Sequence, residues 1–202
     1  MLKAKIAVLV SGGGTNLQAI IDAQQSGVIR SGEVVLVISN NANAYALTRA
    51  ENADIEHLYI SKKELKTQEA FEDAIIAALE EREIDLIVLA GFMSILSERF
   101  TARFDHRILN VHPSLIPSFC GQGYFGLRVH EAALEKGVKV TGATVHFVNE
   151  IPDGGEIIAQ KAVEILDGDT PEVLQKRVME QAEWIILPQS VEKIAKQILD
   201  NR

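Results

Sequence analysis

Ile6-Ala-Val-Leu-Val-Ser-Gly-Gly-Gly-Thr-Asn-Leu-Gln-Ala-Ile-Ile-Asp-Ala-Gln-Gln25 is the stretch that decides the fold class. Ile6 to Val10 is an apolar run without a polar break, as a strand buried on both faces requires. The glycines Gly12, Gly13 and Gly14 follow, and then Asn16 to Gln25 with Leu17, Ile20 and Ile21 at helical spacing. Strand, tight loop and helix in that order open a βαβ unit.

The alternation continues along the chain. Glu33 to Ser39 reads as a strand, Asn43 to Ala53 as a helix and Ile55 to Ile60 as a short strand. Phe71, Ile75, Ile76 and Leu79 predict a helix over Gln68 to Arg82, and Ile84 to Ala90 is another apolar strand. Ser97 to Phe104 is mixed, and Arg107 to Val111 is a further strand. Lys139 to Asn149 and Glu156 to Ile165 are β-rich and joined by Glu150-Ile-Pro-Asp-Gly-Gly155, which reads as an antiparallel hairpin added to the sheet. Thr170 to Asp200 reads as helix broken by Pro188, with Asp169-Thr170-Pro171-Glu172 as its start signal. The expected fold is α/β: a doubly wound, mainly parallel sheet with helices on both faces and an antiparallel C-terminal addition.

Hydrophobic residues make up 47% of the 202, but aromatics only 5%, so the core must be built from Val, Ile, Leu and Ala. A net charge of -8 argues against nucleic acid, whose binding needs a basic surface, and favours small-molecule substrates. Cys120 is the only cysteine, which excludes an intrachain disulfide and fits a reducing cytoplasm. Met1 to Val10 is too short for a signal peptide or membrane span, so a soluble cytoplasmic protein is expected, with no membrane association. No H-E-x-x-H or comparable ligand spacing occurs, and no metal is expected.

In a doubly wound sheet ligands sit beyond the carboxyl ends of the strands. Three segments follow strands directly and should gather there: Ser11-Gly-Gly-Gly-Thr15, Gly91-Phe-Met93 and His112-Pro-Ser114. Asn110 and His112 are two apart at the end of a strand and therefore share a face. An amide donor beside an imidazole suits the stabilisation of an oxygen that gains charge. The glycine loop before a helix N-terminus suits a phosphate monoester, although it has neither the Walker A nor the G-x-G-x-x-G pattern; a plain strand-to-helix turn capped by Thr15 or Asn16 is the alternative. Asp153 opens an Asp-Gly-Gly turn, a structural signal in itself. If the hairpin lies beside the strand of Asn110, Asp153 reaches His112 and is expected to raise the imidazole's pKa. His146 is open to either a supporting role beside Asp153 or sheet packing, and Cys120 to a nucleophilic role with His112. His57, His106 and His130 show no partner pattern.

Asn110-Val-His-Pro-Ser-Leu-Ile-Pro117, with Asp153-Gly-Gly155 downstream, resembles the folate-dependent formyltransferase family. Ser11-Gly-Gly-Gly-Thr-Asn-Leu-Gln-Ala-Ile20, Leu89-Ala-Gly-Phe-Met-Ser-Ile-Leu96 and Thr141-Gly-Ala-Thr-Val-His-Phe-Val148 fit the same family, and the likeness runs through the whole chain in order. The resemblance implies one formyltransferase domain over residues 1–202, with a phosphate-binding N-terminal half and a folate-binding, catalytic C-terminal half. The glycine loop and the chain length point to the branch acting on 5-phosphoribosylglycinamide in purine synthesis, with 10-formyltetrahydrofolate as co-substrate. On that resemblance Asn110, His112 and Asp153 are catalytic. Gly14, Thr15, Asn16 and Glu183 hold the phosphoribosyl substrate, and Met93, Ser94, Ile95, Leu96 and Asn110 hold the folate. Ser94 and Gln68 stand where relatives carry Arg, and Gly121-Gln-Gly-Tyr-Phe-Gly126 is longer than in many relatives. A formyltetrahydrofolate deformylase, a methionyl-tRNA formyltransferase and a non-catalytic phosphosugar-binding module are the competing readings. A monomer and a homodimer are both compatible with the sequence.

Overall fold

The computed structural model describes residues 2–202. The strands β1 (Ala4–Val10), β2 (Gly32–Ser39), β3 (Glu56–Tyr59), β4 (Leu86–Leu89), β5 (Ile108–His112), β6 (Val140–Phe147) and β7 (Ile157–Glu164) form one sheet in the order β3-β2-β1-β4-β5-β6-β7. The first five are mutually parallel, whereas β6 runs antiparallel to β5 and β7 antiparallel to β6. The helices are α1 (Thr15–Gln25), α2 (Tyr45–Asn52), α3 (Lys62–Leu65), α4 (Gln68–Glu81), α5 (Glu98–Arg103), α6 (Leu127–Lys136), α7 (Pro171–Val178) and α8 (Trp184–Asp200).

Strand alternation divides the core into two layers. Ile6, Val8 and Val10 pack on Leu17 and Ile20 of α1 and on Leu187 and Val191 of α8. Ala7 and Leu9 pack on the opposite face with Phe71, Ile75 and Leu79 of α4 and Phe100 of α5. The side-chain period of two in a strand thus feeds both layers from one apolar run. The expected α/β sheet with helices on both faces and an antiparallel C-terminal pair is what forms.

The strand order reverses at β1, between β2 and β4. Ser11, Gly91 and the end of β5 all lie at this edge, and they are tied together: the Met93 N–H donates to Ser11 Oγ at 2.8 Å, and Asn40 Nδ2 donates to Ser94 Oγ at 2.8 Å.

Several elements differ from the sequence expectation. The C-terminal helix does not break at Pro188, which lies inside α8; the irregularity is a π-helical turn one turn earlier, Met179–Glu183. Pro188 lacks the N–H that would reach the Trp184 carbonyl, and the chain widens upstream instead of stopping. The mixed segment after Ser97 folds as α5, because the Ser97 side chain caps it by accepting from the Phe100 N–H. Helix α6, closed by Gly137 in the left-handed region, has no counterpart in the sequence reading. Among the described residues no helix is long and apolar enough to cross a membrane.

Candidate active site

Asn110 and His112 do share a face of β5. Leu109 and Val111 point into the layer of α1 and α8, so the alternate residues point the other way. The antiparallel register sets Asn110 against His146 and His112 against Thr144. The loop after β6 then returns Asp153 to the same place. Asp153 has a left-handed backbone, φ 56°, and Gly155 passes so close to the Phe147 carbonyl that a Cβ there would collide with it. The Asp-Gly-Gly turn is thus what lets the carboxylate face the strand.

Asp153 is the hub. Its Oδ2 lies 3.4 Å from Nδ1 of His112 and accepts the Gly121 N–H at 2.8 Å, while Oδ1 lies 3.6 Å from Nε2 of His146. His146 in turn orients Asn110. Its Nδ1 is 2.7 Å from the Phe147 carbonyl, which assigns the ring proton to that nitrogen and leaves Nε2 to accept from Asn110 Nδ2 at 3.2 Å. His146 therefore has the supporting role, as well as being buried in the sheet.

The electrostatics correct one expectation. Burial pushes the pKa of His112 down, and this outweighs the upward pull of Asp153 and of the Phe119 carbonyl; the ring is only 4% exposed. The imidazole is not held in its charged form. With Nε2 2.8 Å from the Phe119 carbonyl, the neutral ring carries its proton there. Burial acts to raise the pKa of Asp153, but the two imidazoles beside it, His146 and His112, which carry charge at the low pH where a carboxylate takes its proton, and the Gly121 N–H together hold it below the ordinary carboxylate value. Cys120 donates to the Pro117 carbonyl at 3.3 Å, and burial and Asp153 push its pKa up, so it stays a thiol and is no activated nucleophile.

A cleft of about 520 Å³ joins the predicted groups. Asn110, His112 and Asp153 line it together with Asn16, Glu183, Met93, Ser94 and Ile95. Leu96 lines a side pocket of about 130 Å³, which Asn110, Ser94, Ile95 and Asp153 also border. Thr15 faces a separate groove between α1 and α8. Gly14 caps α1 with φ 72°, and a Cβ there would meet the Ala46 Cβ at 2.6 Å. Neither Thr15 nor Asn16 is the cap, and no side chain takes the cap hydrogen bond. The first-turn N–H groups of α1 therefore have no side-chain cap competing for them, as an anion-binding helix N-terminus requires.

Asn16 Nδ2 donates to Glu183 Oε2 at 2.7 Å, which joins the glycine loop to the π turn. Burial raises the Glu183 pKa to about 7, partly opposed by that hydrogen bond. Asn16 Oδ1 is buried without a hydrogen-bond partner among the described residues. His130, on α6, also lines the cleft fully buried, with neither ring nitrogen hydrogen-bonded among the described residues.

Sequence reasoning missed the Phe119 carbonyl, the Gly121 N–H and His130. The first two are backbone groups, which no residue type announces. His130 carried a weak signal, since it follows the glycine-rich Gly121–Gly126 stretch that borders the cleft.

The doubly wound sheet thus carries an amide, an imidazole and a carboxylate side by side at its switch-point edge. The formyl transferase family model matches residues 4–191, and the chain belongs to that family. Phosphoribosylglycinamide formyltransferase of Haemophilus influenzae is 47% identical over 184 residues, covering 91% of this chain and 84% of that protein. The human trifunctional purine biosynthetic protein adenosine-3 is 46% identical over 193 residues, covering 96% of this chain but only 18% of the human protein. The chain thus spans under a fifth of the trifunctional relatives it matches. The crystal structure of glycinamide ribonucleotide transformylase 1 from Symbiobacterium toebii superposes with a TM-score of 0.90 at 42% identity, covering 96% of this chain and 89% of that one.

Proposed function

We propose that this chain transfers the formyl group of 10-formyltetrahydrofolate to the amine of 5-phosphoribosylglycinamide, releasing tetrahydrofolate and formylglycinamide ribonucleotide in de novo purine synthesis. The observation that carries this reading is a single cleft bordered by three sets of groups: the oxygen-stabilising set Asn110, His112 and Asp153, the pair Asn16 and Glu183, and the backbone of Met93 to Ile95. In this reading residues 1–202 act as one formyltransferase domain. Its N-terminal half supplies the phosphate-binding loop, its C-terminal half the catalytic residues, and the folate segment lies where the halves meet. The lone thiol Cys120 suits a reducing, cytoplasmic setting.

The substrate amine attacks the formyl carbon, so no protein nucleophile is required. A C–N bond forms and the carbonyl pair moves to oxygen. Asn110 Nδ2, already oriented by His146, offers its second N–H to that oxygen. His112 contributes as a neutral donor once Nε2 exchanges the Phe119 carbonyl for the oxyanion. Asp153, ionised at neutral pH, takes the proton that the attacking amine must lose and passes it, through water, to the departing folate nitrogen as the C–N bond to folate breaks. The phosphate rests on the N-terminus of α1 around Gly14, Thr15 and Asn16, with Glu183 set for the ribose or glycinamide portion. The backbone of Met93, Ser94, Ile95 and Leu96 receives the pterin.

The test is an assay of purified protein with 10-formyltetrahydrofolate, with and without the ribonucleotide. Tetrahydrofolate released only when the ribonucleotide is present supports transfer. Release without it makes the protein a deformylase, and no release leaves a phosphosugar-binding module.

A further inference from the structure

Glu72 is a carboxylate that the reaction above does not use, yet it is 1% exposed in the layer beneath the folate segment. It lies on α4 among Phe71, Ile75 and Ile76. A buried charge is costly, and replacing one with apolar residues of similar volume is often neutral or stabilising. Its presence in an aliphatic layer therefore asks for a reason other than stability.

The reason lies in what it binds. Oε1 accepts the Ser97 N–H at 2.7 Å and Gln68 Nε2 at 2.6 Å; Oε2 accepts the Ser97 hydroxyl at 2.5 Å. The Arg99 guanidinium is 3.7 Å away. Gln68 Nε2 also donates to the Ile95 carbonyl at 3.0 Å. Burial alone would raise the Glu72 pKa, but the Ser97 and Gln68 hydrogen bonds and the Arg99 charge together hold it below the ordinary value, so it stays ionised.

These bonds converge on one end of a segment with no regular structure. Residues 90–97 belong to neither helix nor strand, and Met93 and Ile95 are 57% and 70% exposed. The other end is held by Ser11 and Asn40. Between the two anchors the backbone borders both the cleft and its side pocket. Irregular backbone keeps one geometry only when its polar groups have fixed partners.

We infer that Glu72 is a positioning residue for folate, fixing the backbone of Ile95 to Ser97 through Ser97 and Gln68. The inference rests on the reading that this segment holds the folate. An anionic acceptor is used because one carboxylate satisfies the Ser97 amide, the Ser97 hydroxyl and the Gln68 amide at once, which a neutral side chain of that length does less well.

The experiment is steady-state kinetics on the full chain with Glu72→Ala, Glu72→Gln and Ser97→Ala. The unaltered chain is assayed first; if it transfers no formyl group, the reaction is refuted before any variant is read. Given transfer, Glu72→Ala should raise the KM for 10-formyltetrahydrofolate about tenfold, the effect of losing hydrogen bonds to a charged group. The KM for the ribonucleotide and kcat should be unchanged. Glu72→Gln, which keeps one oxygen acceptor, should recover most of the folate affinity. Ser97→Ala leaves the carboxylate in place, so it serves if Glu72→Ala does not fold, and should raise the folate KM by a smaller factor. An unchanged folate KM in a folded Glu72→Ala or in Ser97→Ala overturns the inference. Equal rises in both KM values also overturn it, because they mark a general loss of structure.

Discussion

Asp153 Oδ2 and His112 Nδ1 face each other across 3.4 Å, and still the imidazole is held below its ordinary pKa. A carboxylate this close stabilises a positive ring, but the ring gives up most of its hydration to be there. The balance decides what His112 can be: at neutral pH it is a neutral N–H donor, and Asp153 is the ionised member of the pair.

Asp153→Asn should therefore act in two ways. Loss of the proton acceptor should cut kcat on the order of a hundredfold or more, the scale of removing one polar group from such a site. Loss of the negative charge should move His112 protonation to still lower pH, read as the ring proton shift in an NMR titration with His112→Gln as the assignment control. In the unaltered protein kcat/KM should show no fall as pH rises through 6.5, where an ordinary histidine loses its proton. Near-normal turnover in Asp153→Asn would refute this division of roles.

The glycine loop before α1 has a tighter steric requirement than its glycine content suggests. Gly14→Ala puts a Cβ 2.6 Å from that of Ala46 at a left-handed φ of 72°, so it should cost about 1–3 kcal/mol of stability in denaturant unfolding. Thr15→Glu keeps the backbone and places negative charge at the first turn of α1. It should raise the KM for 5-phosphoribosylglycinamide sharply and leave folate binding alone. An unchanged ribonucleotide KM would place the phosphate elsewhere.

Glu183 gives a pH signature of one sign. Its folded pKa of about 7 exceeds the ordinary 4.5, so the folded protein holds the proton more tightly than the unfolded chain. That contribution to stability is complete below pH 4.5 and is lost as pH rises through 7. Glu183→Gln, which keeps an oxygen for Asn16, should therefore be more stable than the parent above pH 7, by about 3 kcal/mol at most. The same substitution should raise the KM for the ribonucleotide, because it alters a side chain lining the cleft. Urea unfolding at pH 5 and pH 8 checks the first point; a stability difference that does not change with pH counts against an ionising Glu183.

Much of this was legible before the structure, for identifiable reasons. Ile6 to Val10 has no polar residue and is short and rich in β-branched residues, so it reads as a strand covered on both faces, and the glycines after it mark the turn into α1. Asn110 and His112 were joined by the period of two, and Asp153 by the antiparallel return of the chain. Helix α6 was not legible, because it is short, its buried face carries only Val129, His130 and Ala133, and the glycine-rich stretch before it reads as loop. The sign of the His112 shift was not legible either. It turns on burial of the ring, which outweighs both Asp153 and the Phe119 carbonyl and depends on how the chain packs around β5 and not on residue type.

His130 gives a pH signature of the opposite sign. Burial, helped by repulsion from a charged His112, lowers its pKa to about 4, and neither ring nitrogen has a hydrogen-bond partner among the described residues. The folded protein thus resists a proton that the unfolded chain accepts near 6.5. Stability from the neutral ring is complete above pH 6.5 and is lost as pH falls through 4, by about 3 kcal/mol if His130 acts alone. His130→Leu keeps an apolar side chain on α6 and removes the titration, so the difference in unfolding free energy between parent and variant should change by that amount between pH 7 and pH 4. Denaturant unfolding across that range reads it directly. A difference that stays constant with pH would mean that His130 takes up its proton inside the folded protein, and that the cleft admits enough water to solvate it.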